Sequence, residues 1–304
     1  MNTDRLINLL AAVALVELML TIGLGATVAE VMAVARDWRG VARAFVANYL
    51  IVPAAAVGLV LAFRAQPMVA AGVMIIAVCP GAPFGPPFTA IAKGDVSRAI
   101  GMMVLLAGSS ALLAPLLLRL LLPVVTEAGT PLNVDAVRIV ATLAFVQFLP
   151  LCVGLALGAY KPALAQRLKK PAARLSAILN LALLVLVIVV QFKMLSAIRP
   201  TGYFGMLLLW AISGGAGWIL GGRVKSQRSA LAITTAVRNV GVALVIAGGN
   251  FPGTPAVTST TAYGLFQTLV TLGVVMALAR RLRATPPPPM PAFEPTSGPQ
   301  ALNA

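Results

Sequence analysis

Cys79-Pro80-Gly81-Ala82-Pro83-Phe84-Gly85-Pro86-Pro87 decides how this chain folds. Four prolines and two glycines in nine residues cannot form continuous α-helix. Each interior proline removes a backbone donor and clashes with the preceding turn, costing roughly 3 kcal/mol or more. Yet apolar runs flank the stretch, residues 68–78 and 88–92, and together they are long enough for one membrane crossing. In hydrocarbon, unwound backbone survives only where it is buried in protein or lines a watery cavity. One proline would describe a kink between packed helices. This density predicts a break facing a cavity, the usual place where a secondary transporter binds cargo.

The composition agrees. Of 304 residues, 60% are hydrophobic and 10% charged, and mean hydropathy is +0.95, whereas a soluble domain carries about 25% charged residues. The net charge of +15 would suggest nucleic acid in a soluble chain. Here the basic residues sit between apolar segments, so membrane orientation explains them and no nucleic-acid partner is expected. Without histidine there is no histidine metal site and no Ser-His catalysis. Cys79 and Cys152, both in apolar segments, give no disulfide framework and no zinc site. No DDxxD pair and no nucleophile–base pair is visible, so an enzyme is not expected. The first apolar run, 6–35, is far longer than a signal-peptide core and carries Glu17 and Glu30, so it reads as a retained helix.

Nine segments reach the length of a crossing: 6–35, 40–63, 68–92, 96–123, 134–160, 173–197, 202–222, 227–250 and 256–279. The transporter domain spans 1–283. Residues 284–304, with Pro286 to Pro289, Pro291, Pro295 and Pro299, read as a disordered tail. With the N-terminus outside, the inner loops hold 16 Lys and Arg and the outer side holds 5 (Arg5, Arg64, Arg138, Lys193 and Arg199). That bias predicts a multi-pass protein of the inner (plasma) membrane, with the N-terminus outside and the C-terminus in the cytoplasm.

Segments 1–4 and 6–9 have matching shapes. In each set the third is interrupted: segment 3 by the Pro-Gly stretch, segment 8 by Thr234-Thr235-Ala236-Val237-Arg238-Asn239-Val240-Gly241. An offset of five crossings inverts one set relative to the other, a common transporter plan.

Cys79-Pro80-Gly81 followed by Lys93-Gly94-Asp95, then Ala114-Pro115-Leu116, Arg238-Asn239-Val240-Gly241, Leu20-Thr21-Ile22-Gly23-Leu24 and the element from Tyr49 to Pro53 stand in a familiar order. Over residues 15–280 the chain resembles the bile acid:sodium symporter family. The resemblance implies an all-α transmembrane fold, a panel and a core, with two crossing discontinuous helices in an inverted repeat. Nine helices fit a member lacking the first helix of ten. It implies transport of bile acids, keto acids or similar carboxylates, driven by sodium.

The family's sodium ligands, carried over by motif, fall on Gly85 and Pro86, Ala99 and Met103, Thr234, Arg238 and Asn48. Sodium needs hard oxygen donors, and the side-chain oxygens and the carboxylate are gone. Sodium coupling is therefore doubted; only the backbone carbonyls from Gly81 to Gly85 remain for it. Arg238, about ten residues beyond Arg228 and so roughly 15 Å deep, brings a permanent positive charge instead. It reads as a counter-charge for cargo or as half of a structural ion pair, with Glu17 the natural candidate partner. Glu17 alternatively is a buried, hydrogen-bonded carboxyl. Asn239 and Asn48 bind cargo or join helices. Thr234 and Thr235 face the site or bond to their own carbonyls. Pro83, Gly85 and Pro86 line it. The expected function is secondary transport of a small organic anion, with lipid the surrounding partner and oligomeric state open. The alternatives are a sodium-independent uniporter or exchanger, and a non-transporting membrane sensor or scaffold.

Overall fold

The computed structural model describes residues 3–126 and 135–284. Those residues form twelve helices and no strand. In order they are α1 (Thr3–Gly25), α2 (Val28–Arg36), α3 (Trp38–Ala62), α4 (Pro67–Ala77), α5 (Gly85–Ile91) and α6 (Val96–Val125). Then come α7 (Ala136–Tyr160), α8 (Pro162–Ser196), α9 (Pro200–Leu220), α10 (Lys225–Ala236), α11 (Val240–Asn250) and α12 (Pro255–Ala284).

Among the described residues, seven stretches are long and apolar enough to cross a membrane: α3, α6, α7, α8, α9, the α10–α11 pair and α12. The expectation of nine crossings, the third and eighth of them interrupted, is thus met only in part. Segment 6–35 is not one helix, because α1 and α2 meet at an angle of 82°. Thr27 stops the first helix and starts the second through a capping box. Its hydroxyl accepts from the Glu30 N–H (3.1 Å), and the Glu30 carboxylate accepts from the Thr27 N–H (2.9 Å). Segment 173–197 also begins earlier, at Pro162, because proline is tolerated at the first helical position and the basic run after it continues the helix. The tail expected over 284–304 lies outside the described residues except Ala284, which ends α12.

Prolines shape the interior of two long helices. Pro53 and Pro150 cannot bond to the carbonyls four residues back, and just upstream α3 and α7 widen into π turns, Val46–Ile51 and Ala144–Phe148. Each wide turn places one amide side chain in the interior, fully buried Asn48 and Gln147. Helix α1 packs on α7, α8 and α11. Its approach to α7 is backbone on backbone: a side-chain Cβ at Gly23 would stand 2.4 Å from the Leu151 carbonyl oxygen. Helix α12 packs along α4, where Thr260 Oγ1 donates to the Gly72 carbonyl (3.1 Å). Between α2 and α3, Asp37 accepts from the Gly40 N–H (3.0 Å) and pairs with Arg98 of α6 (2.7 Å). The hydrogen bond from Arg98, with that from Gly40, holds the Asp37 carboxyl below its usual range.

Candidate functional site

Two helix breaks meet at the centre of the molecule. The first runs over residues 78–84 between α4 and α5, where the Pro-Gly stretch predicts it. The second runs over residues 237–239 between α10 and α11. The Asn239 N–H donates to the Cys79 carbonyl (2.8 Å), and Asn239 Nδ2 donates to the Gly81 carbonyl (3.3 Å). Asn239 Oδ1 accepts from the Val242 N–H (3.2 Å) and so caps α11. Gly81 has φ +81°, and a Cβ there would stand 2.4 Å from the Ala107 nitrogen of α6. No other residue type fits that position.

Arg238 occupies the second break and is 1% exposed. Its backbone is held from both sides by one side chain on α12. The Arg238 N–H donates to Gln267 Oε1 (2.8 Å), and Gln267 Nε2 donates back to the Arg238 carbonyl (2.8 Å). The unwound backbone thus keeps its hydrogen bonds without water. The guanidinium uses one nitrogen: Nη1 donates to Asn48 Oδ1 (2.9 Å) on the π turn of α3. Nε and Nη2 are buried and have no partner. They share one edge of the planar group, the edge that grips a carboxylate with two parallel bonds. The groups within electrostatic reach are Tyr263, Tyr49 and Cys79, with no carboxylate among them.

The other expected residues fall into place unevenly. Asn48 bridges Arg238 and Thr235, donating from Nδ2 to Thr235 Oγ1 (3.2 Å) and to the Ala44 carbonyl (2.9 Å). Thr234 spends its hydroxyl on its own helix, donating to the Ala230 carbonyl (2.9 Å), yet its methyl lies 3.0 Å from where a Cβ on Gly85 would be. Gly85 and Pro86 are buried at the start of α5, and Pro83 is half-buried just before them. Of the two readings open for Glu17, the structure shows the buried, hydrogen-bonded carboxyl. It makes no ion pair with Arg238, and its Oε1 accepts from Thr21 Oγ1 (2.8 Å) on its own helix α1. The reason is that Arg238 turns toward α3, while α1 meets the first turn of α11 through Leu15 against Gly241.

Sequence reasoning missed three polar groups. Gln267 clamps the break. Tyr263, one turn earlier on α12, is 1% exposed, and its hydroxyl, turned toward Ser213, falls outside hydrogen-bonding geometry. Gln147 on α7 donates to the Ala107 carbonyl and to Ser110 Oγ (3.0 Å), which joins α7 to the helix beneath Gly81. The signal for Gln147 was present in part, since Gln147 precedes Pro150 much as Asn48 precedes Pro53.

The first break lies within a known family pattern: that of the Sodium Bile acid symporter family matches residues 12–198, and the second break, 237–239, lies beyond the matched residues. The chain belongs to that family. As a member it is a multi-pass membrane protein of a transporter family. A stretch of 151 residues, 50% of this chain, is 28% identical to "Probable sodium/metabolite cotransporter BASS2, chloroplastic" of Oryza sativa subsp. japonica. The match covers 35% of that relative, so the chain spans about a third of its length. At the positions to which the resemblance carries the family's sodium ligands, the side chains offer few free oxygens. Gly85, Pro86, Ala99 and Met103 offer no side-chain oxygen, and Thr234 Oγ1 is engaged on α10. Two of the positions carried over by motif, Asn48 and Arg238, are joined by a hydrogen bond.

Proposed function

We propose that this chain is a secondary carrier for a small organic anion, and that the Arg238 guanidinium stands where its relatives place a coupling cation. The observation that carries this reading is the unpartnered edge of a fully buried arginine, Nε and Nη2, at the contact of two helix breaks. A desolvated charge with two idle donors is costly. A carboxylate on that edge would neutralise the charge and satisfy both donors at once. Bile acids, keto acids and similar carboxylates are the substrate class. The positive charge belongs to the protein, so sodium is not needed to hold the anion. Alternating access would come from an inverted repeat in which α4–α5 and α10–α11 are the paired broken helices, within nine crossings. The basic bias supports an inner (plasma) membrane location, an outward N-terminus and a cytoplasmic C-terminus.

The test is binding of two carboxylate probes, pyruvate and cholate, to purified protein, read as ligand-induced thermal stabilisation. Losing two charge-assisted hydrogen bonds weakens binding by about a hundredfold or more, so Arg238→Gln is expected to lose it while still folding. Arg238→Lys restores only part, because an ammonium lacks the planar fork. Normal binding by Arg238→Gln would overturn the proposal.

A further inference from the structure

Tyr263 is the buried polar side chain near Arg238 that the proposed anion contact leaves unused. It stands on α12 one turn before Gln267, the residue that clamps the Arg238 backbone. Residues four apart on a helix share a face, about 6 Å from one another along the axis. The face of α12 that brings Gln267 to the second break therefore brings Tyr263 beside it. Of the groups within electrostatic reach of the guanidinium, Tyr263 acts on it most strongly, ahead of Tyr49 and Cys79. Helix α9, which packs on both α12 and the π turn of α3, closes the space behind Tyr263 with Ser213.

Among the described residues, five buried side-chain nitrogen and oxygen atoms lack a hydrogen-bond partner. Two are acceptor oxygens elsewhere, Glu17 Oε2 and Gln147 Oε1. The other three are donors, and all belong to this site: Arg238 Nε, Arg238 Nη2 and the Tyr263 hydroxyl. Their neighbours are already engaged. Ser213 Oγ donates to the Leu209 carbonyl (2.6 Å), Tyr49 Oη donates to the Leu106 carbonyl (2.9 Å), and Trp210 Nε1 donates to Thr271 Oγ1 (2.8 Å). A buried donor left unpaired is costly, so three together call for a ligand rich in acceptors.

A carboxylate answers the two guanidinium donors with its two oxygens. Held that way, it points its carbon chain away from the guanidinium. The next acceptor that a small acid can offer is then an oxygen on the carbon beside the carboxylate. We infer that the Tyr263 hydroxyl is the third donor to the bound anion and selects acids that carry such an oxygen over plain carboxylates. The inference rests on the anion-carrier reading, and within the proposed substrate class it favours keto acids. Arg238 supplies the attraction for the charge, and Tyr263 supplies the discrimination, because a site with a desolvated donor rejects the analogue that cannot pair with it.

The test compares two probes of equal carbon number on the purified full chain. Pyruvate has the adjacent oxygen and propionate lacks it. By calorimetric titration, wild type is expected to bind pyruvate about tenfold or more tighter than propionate. Tyr263→Phe keeps the ring and removes only the hydroxyl. It is expected to weaken pyruvate to within about threefold of propionate and to leave propionate unchanged. Equal affinities in wild type would overturn the inference without any variant. So would a pyruvate preference that survives in Tyr263→Phe, or an equal weakening of both probes, which would place the hydroxyl on the carboxylate or on Ser213. The two readings fail separately. Normal binding of both probes by Arg238→Gln removes the anion edge, whereas binding that depends on Arg238 but shows no pyruvate preference removes only the role of Tyr263.

Discussion

At the scale of single residues, Arg238 is tolerated because its backbone and its guanidinium are handled separately. Gln267 satisfies the N–H and the C=O of the unwound residue, and Asn48 steadies one guanidinium nitrogen. The remaining two nitrogens stay free. Gln267→Ala leaves a buried N–H and a buried C=O unpaired, with an expected cost of about 2–4 kcal/mol in detergent-solubilised unfolding. A loss under about 1 kcal/mol would mean that water or a shifted backbone replaces the clamp. Arg238 was legible in the sequence because a charge inside an apolar run cannot be explained by lipid. Gln267 was not, since an amide in an apolar helix looks the same whether it faces a neighbour's side chain or an unwound backbone. Which of the two readings of Glu17 holds was not legible either, because it depends on which way two helices are turned.

At the scale of elements, the breaks follow from backbone chemistry. Proline and glycine density between residues 79 and 87 cannot be continuous helix, and the chain leaves helix over residues 78–84 before α5 starts at Gly85. The second break has no proline; it is fixed by Asn239, which caps α11 and reaches across to the first break. Gly81 is where the two breaks and α6 converge, at positive φ against the Ala107 backbone. Gly81→Ala adds a left-handed strain of about 1–2 kcal/mol to a backbone clash, so an expected loss of about 3 kcal/mol or more in unfolding measurements follows. Wild-type stability of that variant would show that the first break is free to rearrange. The bend between α1 and α2 was readable in principle, because Thr27-x-x-Glu30 is a capping box within an otherwise apolar run. The two π turns were not. Pro53 and Pro150 announce a disturbed helix, but whether it kinks or widens is settled by the helices packed around it.

At the scale of the whole molecule, family membership follows from order and spacing of short motifs, each weak alone. The family match, residues 12–198, takes in the first break, and the second, at 237–239, lies beyond it. Positions to which the resemblance carries the family's sodium ligands hold Gly85, Pro86, Ala99 and Met103, while a permanent cation, Arg238, reaches Asn48. The central claim is that this fixed charge makes an external cation unnecessary. The most direct measurement is the affinity of the purified wild-type protein for its carboxylate probe in sodium chloride and in choline chloride at equal ionic strength. The account predicts the same affinity in both salts; a tightening by sodium of about tenfold or more, worth about 1.4 kcal/mol, would contradict it.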